Sequence, residues 1–185
     1  EARNISIVAN IFEGSVTPFA FVGAVDSIVA HNTIINPTNW LMRILQETLT
    51  QNGYTFLPSG NNTVANNIFY FDRSQLSSTM INVGDNPAPT TFTFSHNLWF
   101  AHTGTPTYPA TGIPVTETAP LHGQNPLFVN FGAGNYQLQV GSPAIGYGNR
   151  LIHAPFDYDG AAYNSPASLG AFEANQFVYL PNLRR

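Results

Sequence analysis

A short motif centred on asparagine occurs four times in this chain and constrains its fold more than any other feature. Each copy has an apolar residue three positions before the asparagine and a large apolar residue two positions after it. The copies span residues 7–12, 29–34, 64–69 and 94–99, and successive asparagines lie 22, 35 and 30 residues apart. Self-similarity at a period of about 20–50 residues is typical of solenoids, in which each repeat buries its apolar face against its neighbours.

The spacing around each asparagine predicts two short strands that meet at a corner. Apolar residues alternate on both sides of the asparagine, as in a strand, and do not keep the spacing of three and four that a helix requires. Asparagine tolerates left-handed backbone and bonds to nearby main chain, so we place it at the corner. Stacking would bring Asn10, Asn32, Asn67 and Asn97 to about 4.8 Å from one another, where their amides are expected to form a hydrogen-bonded ladder.

A third strand per repeat is predicted in the apolar segments between the motifs, at residues 19–23, 41–45 and 79–83. Residues 46–60 and 84–91 are rich in Gly, Pro, Asn and Thr and are predicted to be loops. The chain is therefore predicted to be an all-β protein, a parallel β-helix of about four coils with three strands per coil. The alternative is an ordinary β-sandwich in which the four asparagines coincide by chance.

Composition excludes some partners. Only 9% of the residues are charged, the six basic residues are all Arg, and the net charge is −4. Without a basic patch, nucleic acid is not an expected partner. No apolar run reaches the length of about 18–20 residues that crosses a membrane. The chain has no Cys, which neither requires nor excludes secretion.

The first repeat begins almost at once, without a preceding amphipathic cap. An uncovered first coil would expose strand edges and core. We therefore expect residues 1–30 to contact further N-terminal coils or another chain.

The motif does not recur after Phe100, and residues 101–124 are predicted to be a loop. A series of other motifs then follows: Asn-Pro-Leu-Phe at 125–128, Asn-Tyr-Gln-Leu at 135–138 with Gly-Ser-Pro-Ala-Ile at 141–145, Asp-Tyr-Asp-Gly at 157–160, and Gly-Ala-Phe-Glu at 170–173. In order and spacing this series resembles the C-terminal region of bacterial right-handed parallel β-helix proteins of the pectate-lyase-like superfamily.

The resemblance implies a right-handed coil, an extracellular or cell-surface location and association with polysaccharides. This chain departs from the family pattern at two places. Residues 146–147 are Gly and Tyr where the family often has an Asp, and residues 161–163 are Ala, Ala and Tyr where the family usually has an Arg. The chain is accordingly divided into β-helix coils at residues 1–100 and an irregular tail at residues 101–185. The tail is expected to pack on the flank of the coils, because outward apolar residues at Ile35, Tyr70 and Phe100 need a cover. The cover is expected from four tail residues, Phe128, Tyr136, Leu138 and Phe172.

Polysaccharide-binding β-helices usually bind along one sheet, so candidate site residues are sought among outward side chains and neighbouring loops. Arg43 alternates with the inward Met42 and Ile44, and an arginine suits the carboxylate of a uronate. The alternative is a structural ion pair between Arg43 and Glu47. The candidates are Arg43 and Arg73 for catalysis and Asn82, Tyr54, Glu47 and Asp72 for substrate binding.

The predicted function is binding or degradation of an extracellular polysaccharide, with a lyase acting on uronate-containing glycans as one form of it. A hydrolase would need two carboxyl groups about 5–10 Å apart, and no outward stacked pair is evident. The alternative is a non-catalytic surface or adhesive scaffold. No metal site is predicted; the cofactor is left open, with calcium considered for Asp157 and Asp159, where a turn is the competing interpretation. His31 and His96 are expected at the surface or in capping roles.

Overall fold

The computed structural model of this protein describes residues 2–174, and within them it is an all-β chain. Glu1, at the start of the predicted coils, and residues 175–185, at the end of the predicted tail, lie outside the described part. Three short 3-10 helices occur, at Arg73–Gln75, Pro89–Thr91 and Phe131–Ala133. None of the helices in residues 2–174 has the length and apolar character needed to cross a bilayer.

Eighteen short strands follow one another along the described chain. The first ten are β1 Ala2–Arg3, β2 Ser6–Val8, β3 Ile11–Glu13, β4 Ala20–Val22, β5 Ala24–Val25, β6 Ile28–Ala30, β7 Thr33–Ile35, β8 Met42–Leu45, β9 Thr50–Gln51 and β10 Tyr54–Thr55. The others are β11 Thr63–Ala65, β12 Ile68–Asp72, β13 Ile81–Val83, β14 Thr93–Ser95, β15 Leu98–Thr103, β16 Leu121–His122, β17 Phe128–Asn130 and β18 Asn135–Leu138.

Most of these strands form three parallel sheets. Sheet I has the order β14-β11-β6-β2, sheet II the order β16-β15-β12-β7-β3, and sheet III the order β13-β8-β4. The chain visits sheets I, II and III in turn and then returns to sheet I, and we call one such run a pass. The strands on both sides of each motif asparagine, and the third strands of the first three passes, lie where the sequence predicts them.

The inward side chains of the passes stack on one another to form the main core. Ile34, Phe69 and Trp99 occupy equivalent positions on sheet II and are fully buried. The rings of Phe69 and Trp99 are nearly parallel, with centroids 4.1 Å apart. Because every pass contributes the same inward positions, burial repeats along the stack as the apolar spacing of the motif predicts.

The predicted asparagine ladder is confirmed. Each amide donates from Nδ2 to Oδ1 of the next asparagine, over 3.1 Å from Asn10 to Asn32, 3.0 Å from Asn32 to Asn67 and 2.9 Å from Asn67 to Asn97. Each backbone N–H donates to that same oxygen. The spare Nδ2 hydrogens of three of them reach carbonyls of the preceding pass. The corner groups of the buried passes are thereby satisfied without water.

The conformation of the corner differs from the prediction. The left-handed residue is the one before each ladder asparagine, with φ between 53° and 57° at Ala9, His31, Asn66 and His96. The bend is made at that residue, and the ladder asparagine stands immediately before the next strand. Its side chain then points along the stack, in the direction that bonding to the next pass requires.

The prediction that residues 101–124 are only a loop is wrong. Thr118 bridges to Ser95 of sheet I, and β16 adds a fifth strand to sheet II. The left-handed Ala119 repeats the corner, but Pro120 stands where a ladder asparagine would be. Proline has no N–H and no side-chain amide, so it does not extend the ladder.

The ladder ends instead at Glu117. Its Oε1 accepts from the backbone N–H and the Nδ2 of Asn97, at 2.9 and 2.7 Å, and its Oε2 accepts from the indole of Trp99 at 2.7 Å. Burial raises the pKa of this carboxyl above its usual range. The two oxygens of one carboxyl group thus accept three hydrogen bonds from the last pass.

The C-terminal tail packs on the outer face of sheet II, as predicted. Ile35 of sheet II lies in a second core cluster with Phe128, Tyr136 and Phe172 of the tail. Tyr70, Phe100 and Leu138 pack against that cluster while partly buried. In the tail, β17 pairs with β18 in antiparallel fashion. The cover removes an apolar sheet face from water.

Residues 46–60 are more ordered than a simple loop. They contain an antiparallel hairpin of β9 and β10, which turns at Asn52 and Gly53. The buried amide of Gln46 holds the base of this segment, since its Oε1 accepts from the Ser59 N–H at 2.8 Å and its Nε2 donates to Thr48 O at 2.9 Å. The hairpin therefore projects from a fixed base.

Candidate functional site

Arg43 lies on the outer face of sheet III, where the sequence places it. In the register of the sheet it pairs with Ala20 of β4 on one side and Asn82 of β13 on the other. Its Nε donates a hydrogen bond to Oδ1 of Asn82 over 3.0 Å. The expected adjacency of Arg43 and Asn82 is therefore present, and we call the three register partners Ala20, Arg43 and Asn82 the Arg43 row.

The partners of Arg43 differ from the expected carboxylate. Its guanidinium carbon lies 4.7 Å from the centre of the half-buried Trp40 ring, a cation–π contact. No ion pair joins Arg43 to Glu47 or to another carboxylate in residues 2–174. The ring and the amide fix the plane of the guanidinium, while its two terminal nitrogens make no hydrogen bond within that range.

Trp40 was not among the residues predicted from the sequence. A signal for it exists, because it precedes Arg43 by three residues and stands at the entrance to the third strand of its pass. The strand pattern assigns no face to a residue before the strand, which is why alternation alone does not find it.

A polar cleft lies between the end of β4 in sheet III and the hairpin. Its lining includes Val22 at the end of β4, Glu47, Gln51 and Phe56. Glu47 is exposed there. Tyr54 is 56% exposed on the hairpin and meets Phe56 edge-to-face at 5.0 Å. Gln51 and Phe56 of the hairpin segment thus form one wall of this cleft.

Asp72 and Arg73 lie apart from this group, where sheet II ends. The Asp72 carboxylate accepts from both the hydroxyl and the N–H of Ser74, and these bonds lower the pKa of Asp72. Arg73 donates from Nη1 to Leu76 O and from Nη2 to Ser78 O, each over 3.1 Å. Both side chains hold the connection to sheet III in shape.

The two motif histidines differ from one another. His31, expected at the surface or in a capping role, is fully buried: its ring stacks on Tyr163 with centroids 3.9 Å apart, and Asn66 Nδ2 donates to its Nε2 over 2.8 Å. Burial lowers the pKa of His31 to about 4. His96 contacts Asn149 and Tyr147 near the surface. The tail causes this difference in burial, because it covers the corner at His31 and lies only at the side of the corner at His96.

Asp157 forms a turn. Its Oδ1 accepts from the N–H groups of Asp159 and Ala161, and its Oδ2 accepts from that of Glu173. These main-chain bonds occupy the carboxylate that a calcium ion would require. No group of three or more metal-ligating side chains is found in the described part of the chain.

Neither a comparison with protein-family models nor one with curated proteins gives a match to this chain.

Proposed function

We propose that this chain forms part of a right-handed parallel β-helix of the pectate-lyase-like superfamily that binds a uronate-containing polysaccharide outside the cell. The stacked parallel passes and the order of motifs in the tail support the fold assignment. The right hand is also the usual one for parallel strands joined by crossovers in one sheet. The binding surface in this proposal is the outer face of sheet III with its hairpin wall.

The observation that carries the proposal is the setting of Arg43. A guanidinium held in one plane by Trp40 and Asn82 is preorganised, so binding a carboxylate through the terminal nitrogens costs little further side-chain entropy. The Nδ2 of Asn82 makes no hydrogen bond to the described residues and suits a sugar hydroxyl. Glu47 and Tyr54 on the wall add an acceptor and an exposed ring, which suit hydroxyls and sugar faces.

Binding is favoured over catalysis for this surface. An arginine keeps its proton in proteins, so Arg43 suits the neutralisation of a uronate better than the removal of its C5 proton. Arg73 is the second candidate for catalysis, and both of its terminal nitrogens donate hydrogen bonds to carbonyls of its own loop. We therefore assign Arg43 to substrate binding and keep the lyase as the reaction to be assayed on the same glycan.

The experiment compares Arg43→Ala with Arg150→Ala, which removes the same charge from an exposed position in the tail. Affinity for polygalacturonate and alginate is measured by calorimetry, with a neutral glucan as the reference. Loss of the Arg43 contact is expected to weaken binding to the acidic polymers about tenfold or more, as for a charge-assisted hydrogen bond. The Arg150 variant should bind like the parent chain.

The same samples are assayed for the unsaturated uronate that a lyase releases. Binding without this product supports the non-catalytic form of the proposal, and its release assigns the lyase. Unchanged affinity in the Arg43→Ala variant would refute the surface on sheet III. Absence of binding to every glycan tested would favour the scaffold alternative.

A further inference from the structure

A second groove lies on the outer face of sheet I, on a different sheet from the Arg43 row. It has a volume of about 430 Å³, which falls in the range of about 300–1,000 Å³ that is usual for ligand sites. We call it the sheet I groove. Its lining consists of Asn4, Ser6, Asp26, Ser27, Ile28, Asn61 and Thr63 from the first three passes and His153 from the tail.

One row of side chains follows the groove in the direction of the stack. Ser6, Ile28 and Thr63 are register partners on β2, β6 and β11. The residues that follow them, such as Val29 and Val64, fill the core, so the side chains of this row point outward. The groove therefore meets an equivalent position in each of three successive passes, at a spacing of about 4.8 Å.

The corner residues two positions earlier form a second row. Asn4, Asp26 and Asn61 all have left-handed backbone, with φ of 55°, 55° and 54°. They align because the residues that precede them are paired from one pass to the next. Since the three corners share one conformation, their side chains leave the backbone in the same direction.

Most polar side chains of the groove have unused hydrogen-bonding capacity. Those of Asn4, Ser6, Asn61, Thr63 and His153 make no hydrogen bond to the described residues, and Asn61 contributes only its backbone N–H, which donates to Thr91 Oγ1 over 2.8 Å. Amides, hydroxyls and imidazole both donate and accept, as sugar hydroxyls do. The half-buried Ile28 between the polar positions adds an apolar contact that suits the C–H face of a sugar ring.

The charge of the groove selects against an acidic ligand. Asp26 is its one carboxylate, and an oxygen of that group lies 3.7 Å from Nη1 of Arg3. Among the described residues that line the groove there is no Arg or Lys. A uronate would therefore face a carboxylate whose ion pair with Arg3 has no net charge to attract it. A neutral sugar meets no such repulsion.

We infer that the sheet I groove binds a neutral, extended glycan whose chain runs along the stack. The spacing of about 4.8 Å between passes is close to the length of one pyranose unit in an extended β-linked chain, so successive units meet equivalent corner residues. Three passes span about 10 Å, which accommodates about two units. The inference goes beyond the proposed uronate site, because it concerns another sheet and an uncharged ligand, and either site can exist without the other.

A titration followed by amide chemical shifts tests this inference. The probes are the β-linked trisaccharides of glucose, xylose and mannose. We expect at least one of them to give saturable shifts at Asn61 and Thr63. Thr63→Val keeps the shape of the side chain and removes its hydroxyl, so affinity for that trisaccharide should fall about fivefold, as for the loss of one hydrogen bond.

The matched control is Thr93→Val. Thr93 is the next register partner of Thr63 and is exposed, but it lies outside the lining of the groove, so its variant should bind like the parent chain. Arg43→Ala should also keep its affinity for the neutral trisaccharide, which separates this site from the one on sheet III. Absence of saturable shifts at Asn61 and Thr63 with all three probes would overturn the inference, as would equal affinities of the Thr63→Val and Thr93→Val variants.

Discussion

At the residue scale, the ladder asparagines each satisfy groups that the backbone corner would leave unpaired. Asn67 is fully buried, donates to Asn97 and Val29, and accepts from the N–H and Nδ2 of Asn32. The sequence predicts this role because the four copies share one register. It does not predict Glu117, since a carboxylate that ends a ladder breaks the motif that reveals the ladder.

Replacing Asn67 is expected to be costly. Asn67→Ala leaves the buried N–H and amide of Asn32 without their acceptor, and unfolding free energy should fall by about 3 kcal/mol. The control is Asn164→Ala, at an exposed loop position whose side chain makes no hydrogen bond to the described residues, with a change within about 0.5 kcal/mol. Urea titrations of both variants measure the unfolding free energy. Equal losses of stability would show that the ladder hydrogen bonds do not stabilise the fold.

His31 gives the protein a specific response to acid. Its pKa is about 4 in the folded chain against 6.5 in the unfolded chain, so the unfolded state takes up the proton first. The folding stability that depends on neutral His31 is therefore fully present above pH 6.5. It falls by about 3 kcal/mol as the pH drops towards 4.

The test is His31→Asn, chosen because asparagine tolerates the φ of 53° at this position. We expect the unfolding free energy of this variant to fall less steeply between pH 6.5 and pH 4 than that of the parent chain. Other groups titrate in both proteins, so the difference between the two curves reports His31. Parallel curves would contradict the assigned pKa.

At the element scale, the tail and sheet II form one packing unit. The alternation of Ile35, Tyr70 and Phe100 predicts an outward apolar face, and the aromatic residues of the tail predict its cover. The sequence does not predict how closely the two approach. That distance is set by Gly170, whose backbone lies against Thr33 and Ile68.

Gly170→Ala tests this contact. A Cβ at Gly170, where φ is +81°, would lie 2.7 Å from both Ile68 Cδ1 and Thr33 Oγ1. Gly160 has a similar φ of +86° and open space around it, so Gly160→Ala carries the same backbone cost without the clash.

We expect Gly170→Ala to lose about 1–3 kcal/mol more stability than Gly160→Ala, and to speed amide exchange at Ala171. The Ala171 N–H is informative because it donates to Thr33 Oγ1 of sheet II. Similar losses in the two variants would show that the tail can retreat from the sheet without cost.

At the scale of the whole molecule, the outer faces of two sheets differ. The tail covers the outer face of sheet II, whereas the outer face of sheet III carries the Arg43 row. The sequence identifies Arg43 and Asn82 as neighbours through their shared position in successive passes. It groups Asp72 and Arg73 with them only because loop direction is not encoded in strand alternation. Trp40 and the hairpin wall depend on three-dimensional packing that the repeat does not specify.

The central claim is that a uronate chain lies along the Arg43 row, and chemical-shift mapping with a uronate oligosaccharide tests it most directly. We expect saturable shifts at the Trp40 indole N–H, the Arg43 Nε–H and the Asn82 side-chain amide. Resonances at the ladder end, such as the Trp99 indole N–H bonded to Glu117, should stay in place. Saturable shifts confined to residues outside sheet III and its hairpin would contradict the account.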